Sequence, residues 1–459
     1  MLRKLPVPYL PHPYQEAATD WLIAKSDYYS GGGAALFLNM GLGKTASTLM
    51  AFKKLKDLGE VKTMLIIAPL RVAQTTWPNE IEKWAEFSSL TYIVLHGGDR
   101  HLLLNKKADI YIINYEGIDW LTYQNWQGTD ILCFDELTRM KNWSAKRVKA
   151  IKPFLPLFRR RWGLTGTPAP NGVIDLFSQI YMLDIGKRFG YRLTMYRYTY
   201  FAPLNKYTHK YEPYKDSIAK IYDKIKDLAF SIEGKDWIAV PDELHNTIEL
   251  KLPQVLRNDY NTLKKDCILE LESMEVVTAV NAAALTQKLR QFLSGEIYVN
   301  KIATHIHTVK LDALKEFIED MNGNPLLIAY QYNHELARFK ETFKNAIFIE
   351  KSTDAKTLKN IISKWNAGEI PVLFGHPASV GHGLNLQEAC NNVLFYSLDF
   401  NLENFLQFIK RVARQGQKQN HVMIHYLTFS GTLDTYVRDI LIAKDEVQNT
   451  LLDFLKIDI

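Results

Sequence analysis

Two α/β domains in tandem, each built on a parallel sheet and separated by a helical stretch, are what this chain of 459 residues predicts. Three observations carry that expectation. Short apolar runs closed by Pro, Gly or polar residues recur with room for a helix between them, which is the pattern of parallel strands buried on both faces. The rhythm breaks between residues 173 and 300 and returns from about Val309. The length exceeds one core and suits two or three domains. The expected division is therefore 1–172 for the first α/β domain, 173–300 for a helical insertion or bridging region, and 301–459 for the second α/β domain.

Composition narrows the class. With 47% apolar and 23% charged residues the chain reads as a soluble globular protein. A net charge of +6 and a pI near 8.8 suit an anionic partner without naming one. Three scattered cysteines, Cys133, Cys267 and Cys390, point to a reducing compartment and away from a disulfide framework or a zinc site. No apolar run reaches the roughly 18 residues of a membrane span, and the polar, Pro-rich start has no signal-peptide core. The expectation is a cytosolic or nucleoid-associated protein with no membrane partner.

Taken in order, residues 9–22 are an extended Pro-rich entry into a helix starting near Tyr14. Gln15 lies there, and a carboxamide can read an adenine edge as donor and acceptor together. Residues 34–38 form a strand, residues 45–58 a helix, and Asn39, Met40, Gly41, Leu42 and Gly43 the turn between them. Strand, Gly turn and helix make a phosphate cradle, since loop amides and a helix N-terminus point at an anion. Gly41 and Gly43 allow close backbone approach. Lys44 supplies a point charge for the outer phosphates, and the Thr45 hydroxyl can ligate Mg²⁺. The strict phosphate-loop pattern asks for Gly at position 38, where this chain has Leu38.

Residues 63–69 form the next strand, with Pro69 and Arg71 at its carboxyl end and a helix over residues 77–84. Residues 90–95 and 109–113 are two further strands. Ligands bind beyond the carboxyl ends of strands in open α/β sheets, which places Arg71 and the Asn114-Tyr115-Glu116 segment near a ligand. Residues 131–136 bring a strand up to two adjacent acids. Side chains alternate along a strand, so Asp135 and Glu136 point apart unless the chain turns there. One acid can then hold Mg²⁺ while the other orients and deprotonates a water. A short strand then ends in Thr165, Gly166 and Thr167, small residues suited to a phosphate-sensing hinge.

Residues 187–215 are crowded with Tyr, Arg and Lys. Such rings can stack on bases, but an amphipathic helix with its rings packed inward is the favoured reading. Helices are expected over 222–229, 258–274 and 282–293, and a strand over 247–252. In the last third, strands fall at 325–329, 346–349, 371–374, 393–396 and 422–427, with helices at 334–344, 355–365 and 402–412. A Gly-rich loop carries Gly383 and Asn385. Gln407, Arg411 and Arg414, spaced four and three apart, are expected on one helical face, which suits a triphosphate.

These motifs, in this order, resemble the superfamily-two helicase motors, and more narrowly the Swi/Snf-type DNA-dependent ATPases in their compact phage or bacterial form. Tyr14-Gln15 with Trp21-Leu22 is similar to the family's Q motif. Asn39 to Thr45 is similar to its phosphate loop, with Asn39 where Glu is usual. Ala68-Pro69-Leu70 with Trp77, Glu80 and Trp84 resembles motif Ia. Asp135-Glu136-Leu137-Thr138 resembles the Asp-Glu-Ala-His box, from which Leu137 and Thr138 depart. Residues 164–171, 381–386 and 407–417 resemble motifs III, V and VI.

The resemblance implies two RecA-like domains using ATP and Mg²⁺. Lys44 would hold phosphates, Thr45 and Asp135 the metal, Glu136 the attacking water and Gln15 the adenine. Met40, Gly41, Leu42, Gly43 and Gly383 would line the nucleotide, and Gln407, Arg411 and Arg414 would complete the catalytic set. Pro69, Arg71, Thr165, Gly166, Thr167 and Asn385 would contact nucleic acid or couple the two ligands. The implied partner is DNA, duplex or branched in preference to single-stranded, in the cytoplasm of a bacterial or phage-infected cell. A strand-separating or branch-migrating helicase and a nucleic-acid clamp with a weak ATP site are the alternatives.

Overall fold

The computed structural model describes residues 6–26, 32–124, 130–203, 211–232, 240–272, 279–380 and 384–455. They fall into two compact units. Unit one takes the described residues of Met1–Ala202, Tyr211–Ile238 and Lys444–Ile459; unit two takes those of Pro203–Lys210 and Ala239–Ala443. Apolar strand runs need both faces covered, and each unit meets that need with one parallel sheet between helices.

In unit one the strands are β1 (Gly33–Phe37), β2 (Met64–Ala68), β3 (Tyr92–Val94), β4 (Ile110–Asn114), β5 (Ile131–Asp135) and β6 (Arg160–Thr165). The next two, β7 (Phe201–Pro203) and β8 (Tyr211–Pro213), pair only with each other, and β9 is Ala229–Phe230. The sheet runs β3-β4-β2-β5-β6-β1-β9 with every pairing parallel. Register aligns the functional ends: Leu164 faces Leu36 on one side and Asp135 on the other. The phosphate loop after β1, the acids after β5 and the Thr-Gly-Thr turn after β6 therefore leave one edge of one sheet.

Strand β6 is fully buried although it begins with two arginines. The structure satisfies both. Arg161 donates to the carbonyls of Leu183, Leu155 and Phe158, and burial draws its guanidinium down to about 10. Arg160 donates to Ile23 O and to Glu60. Buried charge is tolerated only with such pairing.

Unit two contains β10 (Asp242–Leu250), the antiparallel pair β11 (Glu296–Val299) and β12 (Ile302–His305), and β13 (Leu326–Ala329), β14 (Ile347–Ile349), β15 (Val372–Gly375), β16 (Asn392–Phe395) and β17 (His421–Phe429). Its main sheet is ordered β10-β17-β16-β13-β15-β14, again parallel throughout. Lys310 and Asp434 form a buried ion pair at 2.6 Å, fixing the start of the helix Leu433–Phe454.

Several local expectations shift. The stretch between residues 173 and 300 also supplies edge strands: β9 extends the first sheet and β10 the second. The helix expected over 222–229 lies at Ser217–Ile225. The helix expected over 402–412 stops at Ile409, after which the chain continues in turns. Arg411 and Arg414 thus leave the helical face they were expected to share with Gln407. Of the crowded tyrosines, Tyr196 and Tyr200 pack into the core while Tyr191 and Tyr198 stay exposed. Gly383, with Gly381 and His382, lies outside the described residues. No described helix is long and apolar enough to cross a membrane.

Two buried histidines give unit two a pH signature. Burial, reinforced by Lys310, lowers His307 to about 4; burial, reinforced by Arg338, lowers His334 to about 4. Unfolded histidine titrates near 6.5, so between pH 6.5 and about 4 the unfolded chain binds more protons and stability falls as pH falls. Urea unfolding of unit two at pH 7.5 and pH 5 should show this loss. His307→Phe, which keeps a ring between Phe292 and Phe429, should flatten the slope.

Candidate nucleotide site

The phosphate loop is a backbone construction. Gly41 and Gly43 adopt φ of 87° and 71°, left-handed values that glycine reaches without strain. Gly43 opens the helix Lys44–Asp57, whose N-terminus no side chain caps, which leaves its first amides for an anion. A Cβ at Gly43 would lie 2.0 Å from Gln15 Nε2, so the Gln15 carboxamide sits directly over the loop. Gln15 Oε1 accepts from the His12 amide, which places that oxygen in the cap of the helix Pro13–Lys25. Lys44 Nζ donates to Leu38 O at 2.7 Å and Asn39 O at 3.2 Å, spanning its own loop.

The acids sit where the turn condition is met. Glu136 has φ 58° and ψ 60°, so the chain reverses immediately after Asp135 and the two carboxylates need not take opposite faces of a strand. Asp135 is buried at the end of β5. Burial raises its carboxyl, opposed by the Trp77 indole and by the charge of Lys44. Trp77 Nε1 donates to Asp135 Oδ2 at 2.8 Å. The Tyr115 hydroxyl lies 2.8 Å from Asp135 O and 3.0 Å from Glu136 O.

Thr138 stands where the resembled box has His, and it supplies a link of its own. Its Oγ1 lies 2.7 Å from Thr165 Oγ1 and donates to Thr167 O at 3.1 Å. Thr165 and Thr167 are both buried, so they connect interior groups rather than meet a solvent-side ligand. Gly166 lies against the phosphate loop: a Cβ there would be 3.2 Å from Leu38 O. Gln448 Nε2 donates to Gly166 O at 3.4 Å, and Lys444 Nζ to Asn171 Oδ1 at 3.3 Å. Trp77, Tyr115 and Thr138 fall within motif segments of the sequence but have no role assigned there, and Gln448 carries no signal at all. Their partners are 20 to 282 residues away.

Pro69 is buried and Arg71 half-buried, at the start of a π-helical turn Val72–Thr76. Burial lowers the Arg71 guanidinium. In unit two, Gln407 is fully buried and donates to Glu403 at 3.3 Å. Arg411 Nε donates to Gln407 O and Nη1 to Leu384 O. Arg414 Nη1 donates to Asn385 Oδ1 at 2.6 Å, and burial lowers its guanidinium. Asn385 is exposed, so this pair marks the solvent side of the loop.

Two parallel sheets, one ending in a phosphate loop and a paired-acid turn, are the frame of an ATP-using enzyme of the helicase type. Residues 14–307 match the SNF2-related domain and residues 309–416 the helicase conserved C-terminal domain. The chain belongs to the SNF2-related family. It is 34% identical to a protein of Acyrthosiphon pisum secondary endosymbiont phage 1, covering 98% of this chain and 99% of that one. It is 26% identical to a Bacillus subtilis protein named as an ATP-dependent helicase/translocase, over 96% of this chain but 48% of the relative. The chain thus spans about half of that longer protein. The SWI2/SNF2 ATPase core of Sulfolobus solfataricus, solved with double-stranded DNA, is similar over 98% of this chain and 96% of that one, at 23% identity and a TM-score of 0.46.

The Thr138 link is open to direct measurement. Thr138→Val keeps the shape and removes the hydroxyl, leaving Thr165 and Thr167 O to find other partners. Denaturant unfolding should show a loss of about 1–2 kcal/mol, as for a buried hydrogen bond with an orphaned partner.

Proposed function

We propose that the chain is a motor that hydrolyses ATP to translocate along DNA, duplex or branched in preference to single-stranded. The observation that carries this is the left-handed turn at Glu136, which presents two acids at the end of β5 with the Lys44 charge acting on Asp135. The Bacillus relative, named as an ATP-dependent helicase/translocase, and the family support the reading. In it, Lys44 and the loop from Met40 to Gly43 hold the phosphates, Gln15 reads the adenine and Glu136 orients and deprotonates the attacking water. Arg411 and Arg414 supply positive charge to the transferring phosphate, with Gln407 behind them. Pro69, Arg71, Thr165, Gly166, Thr167 and Asn385 link nucleotide state to DNA. The place of action is the cytoplasm of a bacterial or phage-infected cell.

The donor set fits Mg²⁺. Thr45 and Asp135 offer hard oxygens, and no cluster of three His, Cys, Asp or Glu able to cage a metal exists among the described residues. Mg²⁺ is held in such sites by one or two carboxylates together with substrate phosphates. When bound, the ion neutralises phosphate charge; Thr45 and Asp135 would be its protein ligands.

Glu136→Gln should bind nucleotide normally and lose two or more orders of magnitude in turnover, read by single-turnover hydrolysis. Near-normal turnover would remove Glu136 from its role. ATPase stimulation should be greater with duplex than with single strands, and ATP should drive displacement of a third strand from a triplex. The exposed Tyr191, Met195 and Tyr198 favour strand separation as the second reading. Efficient unwinding of a plain fork, lost in Tyr198→Ala, would establish that reading over the translocase one. Tyr200 does not suit this test, because it is packed in the core.

A further inference from the structure

We propose that Trp77 and Tyr115 are positioning residues for the two acids: Trp77 fixes the metal-binding carboxylate of Asp135, and Tyr115 holds the backbone turn that aims Glu136. The inference rests on the assignment of Asp135 and Glu136 given above.

A carboxylate at a strand end rotates about its side-chain bonds unless something holds one oxygen. Trp77 Nε1 does so, donating to Asp135 Oδ2 at 2.8 Å, with both groups buried. An indole N–H is a donor only, so it holds one carboxylate oxygen without competing as a metal ligand, and the Glu136 amide donates to the same carboxylate. The backbone before Trp77 is arranged to deliver it. Residues Val72–Thr76 form a π-helical turn, and the Trp77 amide donates to Val72 O five residues back. Such a turn accommodates one residue more than an α-turn and so rotates the next helix about its axis. Trp77 then begins the helix Trp77–Lys83 with its ring fully buried.

Glu136 presents a different need. Its left-handed conformation is one that side chains other than glycine rarely adopt, and it persists only where the surroundings hold it. The Tyr115 hydroxyl reaches the carbonyl oxygens on both sides of the turn, at 2.8 Å from Asp135 O and 3.0 Å from Glu136 O. Its single proton bridges the two peptides. Tyr115 is itself buried, so its ring is held where the hydroxyl meets the turn. At position 115 a phenylalanine keeps the ring and loses only the hydroxyl; at position 77 it keeps an aromatic ring but leaves part of the indole's volume unfilled. The polar atoms are what the two acids use.

The test uses the full chain. Trp77→Phe should leave the affinity for fluorescent ADP in EDTA unchanged. The Mg²⁺ concentration that half-saturates metal-dependent ADP binding should rise about tenfold, the low end for loss of a partner to a metal ligand. Tyr115→Phe should do the reverse, lowering kcat about tenfold with the Mg²⁺ requirement unchanged. An independent readout comes from the wild type labelled with ¹⁵N at its nine tryptophans. One indole resonance should broaden when Mn²⁺ and ADP are added, and the same resonance should move in Asp135→Asn. Broadening combined with an unchanged Mg²⁺ requirement in Trp77→Phe overturns the role of Trp77 while leaving Asp135 as a ligand. The absence of any broadened indole overturns the metal assignment of Asp135 itself. If Trp77→Phe fails to fold, Tyr115→Phe and the resonance experiment still decide, and an unchanged kcat in Tyr115→Phe overturns the second half.

Discussion

A carboxylate buried at the end of a central strand is the constraint around which unit one is arranged. Asp135 lies on β5, between β2 and β6, and its side chain is almost wholly removed from water. Such a group is costly unless donors and positive charge surround it. The sheet order answers that need. The β2 neighbour leads through a π-turn to Trp77, and β4, beyond it, leads to Tyr115. On the other side β6 ends in Thr165, whose hydroxyl meets Thr138. The loop after β1 brings the charge of Lys44 to bear.

From that centre a polar chain runs through the interior of unit one. Thr138 joins Thr165 and Thr167, Gly166 lies against the carbonyl of Leu38 in the phosphate loop, and Gln448 donates to Gly166 O. These groups are buried and Gly166 has no room for a larger side chain beside the phosphate loop, so a change at that loop would be felt at the Thr-Gly-Thr turn through packed groups. The chain of contacts is physical; whether it carries energy is what a double-mutant cycle measures. Unit two shows the same economy in another form. Arg411 and Arg414 are each tied to the backbone or side chain of the loop around Leu384 and Asn385. Their guanidinium groups are therefore held in place by neighbours rather than left to the rotamer freedom of a long side chain.

The strands were legible because parallel strands with both faces covered read as unbroken apolar runs. Residues 131–135 and 325–329 need no partner information to be recognised. The helix that ends at Ile409 was not legible. The apolar spacing continues through Val412, but the amides of Arg411 and Val412 bond three residues back, to Phe408 O and Ile409 O, rather than four. Periodicity reports which residues face inward, not how the backbone between them is bonded. The tyrosines of residues 187–215 show the same limit: one composition supplied packed rings, Tyr196 and Tyr200, and exposed ones, Tyr191, Tyr198 and Tyr214.

By itself the sequence determined the sheet-forming runs, the glycines of the phosphate loop, the pair of acids and the two arginines of the last motif. All of these are local patterns, set by what a few consecutive residues can do. It also stated a condition, that Asp135 and Glu136 need a turn between them, without saying what would hold that turn. Only the tertiary structure decided this. Trp77 is 58 residues from Asp135, Tyr115 is 20 from it, and Gln448 is 282 from Gly166. A hydrogen bond between distant residues leaves no period and no spacing in the chain; it exists once a parallel sheet has brought the ends of its strands to one edge.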